Sequence, residues 1–187
     1  MVTEAVVDVR FPPPPPAGST LPWEAVAALA PRDPEAAEFT FPSPMVRVGD
    51  AARDFAAASF PAGRPVLEGL LDLNSRFRKE FRFRSGVTGI ATPVDEVLRR
   101  REGVCQDFSH VMIAGLRALG LPARYTSGYI RTYPPPGQPR RVGADMSHAW
   151  VGAWLGPELG WLDLDPTNDI LLSEEHVCLL YTSDAAD

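Results

Sequence analysis

The feature that most constrains the fold is a change of hydrophobic period between Leu119 and Ala123. Before it, from about Cys105 to Leu119, the residues Phe108, Met112, Gly115, Leu116 and Leu119 recur at helical spacing. Gly120 stands where a helix C-cap glycine belongs, and Pro122 forbids continuation. After it the period becomes two. The segments ARYTSGYI (123–130), HAWVGAWL (148–155) and GWLDLDPT (160–167) read as strands. Upstream, residues 50–60 read as a helix with Asp50 as N-cap. A second helix is expected from Pro65 to Phe81, striped by Leu67, Leu70, Leu71, Leu73 and Phe77, and a third from Pro93 to Arg101, broken by Gly103. Helices first and antiparallel strands afterwards give an α+β domain with helices against one side of a sheet. Residues 131–147 form a long connection between the first two strands, and connections of that length are commonly functional.

Composition narrows the class further. A chain of 187 residues with 45% hydrophobic content suits one core domain plus some tail. A net charge of −6 without a basic stripe argues against nucleic acid as the main partner. No apolar run approaches the roughly 20 residues of a membrane span. The opening MVTEAVVDVRF lacks the basic start and apolar core of a signal peptide, so a cytoplasmic location is expected. Two cysteines, Cys105 and Cys178, are too few for a disulfide scaffold, and Cys105 reads as a free thiol.

Three regions are expected. Residues 1–39 comprise a strand remnant and an extended proline-rich linker, Pro12 to Pro22. The core spans 40–177. The last ten residues, CLLYTSDAAD (178–187), read like the translation of a sequencing adapter; on that reading the native sequence ends near Val177, the sheet is incomplete and Cys105 is the sole native cysteine. Met1 reads as an internal start.

Cys105 opens its helix, where unpaired N–H groups and the helix dipole favour negative charge and hence the thiolate. A buried structural thiol is the equal alternative at this point. A cysteine nucleophile requires an imidazole partner. Of the three histidines, His110 lies about 140° around the helix from Cys105 and His176 sits in the terminal segment, which leaves His148. A third group must accept from the other imidazole nitrogen. Asp163 and Asp165 share one strand face, so periodicity does not choose between them. Gln106, Tyr129 and Asn168 are candidates for polar support, with the backbone N–H of Cys105 as first oxyanion donor. Trp150, Trp154 and Trp161 read as core packing or as the wall of an acyl-binding cleft.

The segment REGVCQDFSHVMIAGLRALGLPARYTSGYI, followed by SHAWVGAWL and GWLDLDPTND, resembles the transglutaminase-like core of bacterial proteins, over about Pro93 to Asp169. The resemblance implies a papain-like fold in which the cysteine of G-x-C, the histidine of HAW and the aspartate of DPT form the site, namely Cys105, His148 and Asp165. It thereby favours Asp165 over Asp163. One departure is Gly152, where many members carry glutamate. The implied activity is thiol-dependent acyl transfer or hydrolysis on a peptide or protein substrate, with no cofactor and no metal. The alternative is an inactive interaction module of the same fold. A metal site built on Cys105, His148 and an aspartate lacks CxxC or HxxxH spacing. The oligomeric state is left open.

Overall fold

The computed structural model describes residues 6–133 and 146–185. Six α-helices precede the main sheet: α1 (Trp23–Leu29), α2 (Pro34–Ala37), α3 (Asp50–Ala57), α4 (Val66–Glu80), α5 (Val94–Arg100) and α6 (Cys105–Ala118). Two short strands, β1 (Arg82–Phe83) and β2 (Glu102–Gly103), pair in parallel between the later helices. The strands β3 (Ala123–Ile130), β4 (Met146–Trp154), β5 (Trp161–Asp165), β6 (Ile170–Leu171) and β7 (His176–Thr182) form an antiparallel sheet in the order β6-β5-β4-β3-β7. This is the α+β arrangement expected from the change of period.

The helix α6 organises the core. Every residue from Asp107 to Arg117 is buried, so α6 is enclosed on all sides and not along one stripe. Phe108 joins Phe55, Phe77 and Phe81 in an aromatic group of edge-on and tilted pairs that ties α6 to α3 and α4. At the other end Arg117 is buried as a cation, which is costly unless its donors are satisfied. Its guanidinium donates to the carbonyls of Phe39, Ala123 and Ser183. That grip fixes the start of β3 against the helix C-terminus, where a positive charge also complements the helix dipole. Gly120 follows in the left-handed region at φ +77°, as a C-cap glycine should.

Three expectations are corrected. Asp50 is the first residue of α3 and makes no capping bond; Gly49 occupies the N-cap. The helix α5 ends at Arg101, which takes a left-handed φ of 57°, while Gly103 belongs to β2. Residues 23–37 hold α1 and α2 joined by a short 3-10 turn, and their Val26, Ala30 and Ala36 are fully buried in the core, so packed structure begins well before residue 40. Residues 6–16 carry no regular structure. Residues 178–182, expected to be foreign, form the later part of β7, paired along β3. The expected loop at 131–147 falls largely on residues 134–145, outside the described residues.

Candidate functional site

The site starts at the N-terminus of α6. Val104 is extended and serves as N-cap, which makes Cys105 the first helical residue. Valine has no capping oxygen, so the cap runs in reverse. Asp107 in the first turn accepts from the Val104 N–H at 2.7 Å and from Thr88 Oγ1 at 2.6 Å. This also explains Gly103. A Cβ there would lie 2.7 Å from Asp107 Oδ2 and 2.8 Å from Asp107 Cβ, so a side chain at 103 would displace the cap. Gln106 donates to the Ile90 carbonyl at 3.1 Å, which holds the 86–93 loop against the same turn. Cys105 is half-buried and free.

His148 lies in β4 and is 8% exposed; Asp165 ends β5 and is fully buried. His148 Nε2 sits 2.8 Å from Asp165 Oδ2, and the Cys105 thiol stands near enough to the imidazole to favour its charged form. Since Nε2 is engaged by Asp165, Nδ1 is the nitrogen left for sulfur. Burial alone would lower the His148 pKa, but Asp165 and Cys105 outweigh it and push it up to about 9. Asp165 shows the opposite balance. Burial would raise its pKa, and the hydrogen bonds from His148, His176 and Asn168 hold it well below the usual carboxylate range.

The D-P-T-N turn is built around that carboxylate. Asp165 Oδ1 accepts from the backbone N–H groups of Thr167 at 2.9 Å and Asn168 at 3.2 Å. Oδ2 accepts from Asn168 Nδ2 at 2.6 Å, besides His148. Asn74 of α4 reaches across to Asp169 Oδ1 at 3.3 Å and anchors the turn to the helical layer.

The structure therefore brings Cys105, His148 and Asp165 into one chain, hydrogen-bonded from His148 to Asp165 and with the Cys105 thiol beside the imidazole. Of the polar candidates, Asn168 joins that chain. Gln106 is turned to the Ile90 carbonyl, and Tyr129 is exposed on β3. The three tryptophans are packing groups. Trp154 is in the core, Trp161 meets Phe39 edge-on at 5.3 Å, and Trp150 is fully buried against His176. Sequence reasoning missed His176. It is fully buried at the start of β7, with Nε2 at 3.4 Å from Asp165 Oδ2. The signal available was the strand-like alternation of the terminal segment, but the pairing of Ile130 with His176 is not readable locally. One ligand-type atom each from His148, Asp165 and His176 lies within 4.8 Å of the others, the spacing of a metal trio. Hydrogen bonds already occupy that carboxylate.

A helix N-terminal thiol beside a strand-borne His–Asp pair defines the transglutaminase-like, papain-type class. The model of the transglutaminase-like superfamily matches residues 54–166, and the chain belongs to that superfamily. An uncharacterized protein of Mycobacterium tuberculosis is 45% identical over 195 residues, which take in 100% of this chain and 62% of the relative. A solved structure from Cytophaga hutchinsonii, provisionally assigned as a cysteine protease, is 30% identical with a TM-score of 0.68, covering 83% of this chain and 49% of that one. The periplasmic domain of TgpA from Pseudomonas aeruginosa, bound to ethylmercury, is 32% identical with a TM-score of 0.52, covering 74% of this chain and 50% of that one. The chain thus spans under two thirds of each of these relatives.

Proposed function

We propose that this chain carries a cysteine-nucleophile acyl-transfer or hydrolytic activity on peptide or carboxamide bonds. The observation that carries the reading is the buried His148, hydrogen-bonded to Asp165 at 2.8 Å with the thiol of Cys105 beside its ring. In the first half-reaction the Cys105 thiolate adds to the carbonyl carbon, and the His148 imidazolium gives its proton to the departing amine, leaving a thioester. In the second, neutral His148 takes a proton from water, hydroxide adds to the thioester, and Cys105 leaves as thiolate beside a renewed imidazolium. Asp165 accepts from His148 Nε2 throughout, which fixes the tautomer and steadies the cation. The Cys105 backbone N–H, unpaired at the helix start, is the first oxyanion donor.

Hydrolysis is favoured over protein cross-linking, because the sequence has no acidic loop of the D-x-[DN]-x-[DN]-G type. The substrate is a peptide or protein, and the chemistry requires no cofactor. The test is alkylation by iodoacetamide at neutral pH, read on the Cys105 peptide. Cys105 should react faster than a free thiol, and His148→Ala should remove the advantage. Equal labelling of wild type and His148→Ala would favour a non-catalytic module of the same fold.

A further inference from the structure

His176 has no part in the mechanism above, yet it is fully buried and aimed at the same carboxylate oxygen as His148. Its surroundings decide its tautomer. Ser173 and His176 exchange two bonds across one turn: the His176 N–H donates to the Ser173 carbonyl at 3.0 Å, and the Ser173 N–H donates to His176 Nδ1 at 3.5 Å. A ring nitrogen that accepts carries no proton, so the proton of the neutral ring sits on Nε2. That N–H points at Asp165 Oδ2. A metal held by the same trio would need a lone pair on Nε2 and therefore a proton on Nδ1, which would then face the Ser173 N–H donor to donor. The same local bond that orients the ring thus disfavours the metal reading.

We propose that His176 is a positioning residue of this site: it donates Nε2–H to Asp165 Oδ2 and so holds the carboxylate in the orientation that aligns His148 with Cys105. The inference rests on the catalytic reading above. Two further contacts support it. The Trp150 ring meets His176 edge-on, with centroids 5.4 Å apart and planes at 81°, and closes the ring's other side. Asn168 Nδ2 approaches Asp165 Oδ2 at 2.6 Å, so His148, Asn168 and His176 approach a single oxygen from three elements of the chain. An oxygen held by three donors has little freedom to swing, and a general base gains from an acceptor that does not move. The charged or titratable groups facing His148 are Asp165 from β5, Cys105 from α6 and His176 itself from β7, whose ring lies 6.2 Å from the His148 ring and is hydrogen-bonded to Asp165.

The test compares His176→Leu, which removes the donor, with His176→Gln, which offers an amide N–H in its place. The readout is the iodoacetamide rate at Cys105 from pH 5 to 10 in the full chain. His176→Leu is expected to lower the rate at pH 7 by about tenfold and to move the profile toward that of a free thiol. His176→Gln should restore most of the rate. A wild-type profile in His176→Leu would overturn the proposal. So would a His176→Gln variant as slow as His176→Leu with the profile's shape unchanged, since that marks packing alone. Imidazole nitrogen NMR on the wild type provides a measurement independent of folding in the variants. Nε2–H supports the proposal, and Nδ1–H overturns it. A wild type that alkylates no faster than a free thiol refutes the catalytic reading and this inference together. A fast wild type with an unaffected His176→Leu refutes this inference alone.

Discussion

Asp165→Asn is the substitution with the largest calculable consequence. The amide keeps the size of the side chain but removes the charge, and with it the larger of the two causes, Asp165 and Cys105, that push His148 up to about 9. Without that partner burial should pull the imidazole down toward its ordinary value of about 6.5, with the Cys105 thiol alone opposing the fall. A full return would correspond to roughly 3 kcal/mol of imidazolium stabilisation, the upper limit for this substitution. At pH 7.5 the fraction of His148 that is protonated would fall by up to about tenfold. The amide can also present N–H to Nε2 and select the wrong tautomer, which in a comparable triad costs up to about 10⁴ in kcat. The assay is a pH titration of the His148 ring by NMR, run beside iodoacetamide rates at Cys105. The expected result is a His148 midpoint moved down from about 9 toward about 7, with alkylation at neutral pH slowed in step. A midpoint that stays near 9 in Asp165→Asn would refute the argument, because it would mean that Asp165 is not what holds the proton on His148.

Three further outcomes follow from the same geometry. Gly128→Ala would place a Cβ 2.1 Å from the Val177 carbonyl and 2.5 Å from the Trp150 ring, so the start of β7 must shift; urea unfolding should show a loss of about 1–3 kcal/mol, and Cys105 labelling should slow as His176 moves. Asn168→Ala removes one donor to Asp165 but leaves both backbone donors of the turn, so labelling should slow only about fivefold, the equivalent of ~1 kcal/mol. Thermal melts against pH should show two flanks. The raised His148 pKa gives stability that is complete below about 6.5 and lost as pH rises through about 9, and the depressed Asp165 pKa gives stability present above about 3.9 and lost as pH falls below it. His148→Gln should flatten the alkaline flank.

The strands of the middle region were legible because alternation is a local property. ARYTSGYI coincides with β3, and HAWVGAWL and GWLDLDPT fall within a residue or two of β4 and β5. Position alone left Cys105 level with a buried structural thiol and elimination pointed to His148; the motifs grouped the two with Asp165. What escaped depends on distant contacts. The helix α1 is short and sits beside a proline run, and its Val26 becomes core only through packing against elements that come later in sequence. Arg101 ends α5 in a left-handed conformation that a non-glycine residue gives no advance sign of. His176 was set aside as terminal. Its role is visible only once β7 lies against β3, with Ile130 opposite His176 and Gly128 opposite His148.

The choice between Asp163 and Asp165 shows how environment, and not residue type, assigns a role. The two carboxylates share a face of β5, and a motif was needed to choose between them. Asp163 lies opposite Gly152, in the space where Arg124 crosses the sheet; a Cβ on Gly152 would come within 2.8 Å of both Arg124 Nε and Asp163 Oδ1. Arg124 is itself held between the Trp161 and Tyr181 rings, at 4.4 and 4.1 Å. Burial raises the Asp163 pKa, and the Arg124 charge opposes that rise. Two residues on, Asp165 meets two imidazoles and a turn of backbone donors, and its pKa is driven down. Here the absent glutamate at 152 makes physical sense. A third carboxyl would have to displace Arg124 and would stand beside Asp163 uncompensated. Gly152 thus keeps an arginine-bearing layer next to the His–Asp pair, leaving Asp165, and not Asp163, as the carboxylate that meets the imidazole.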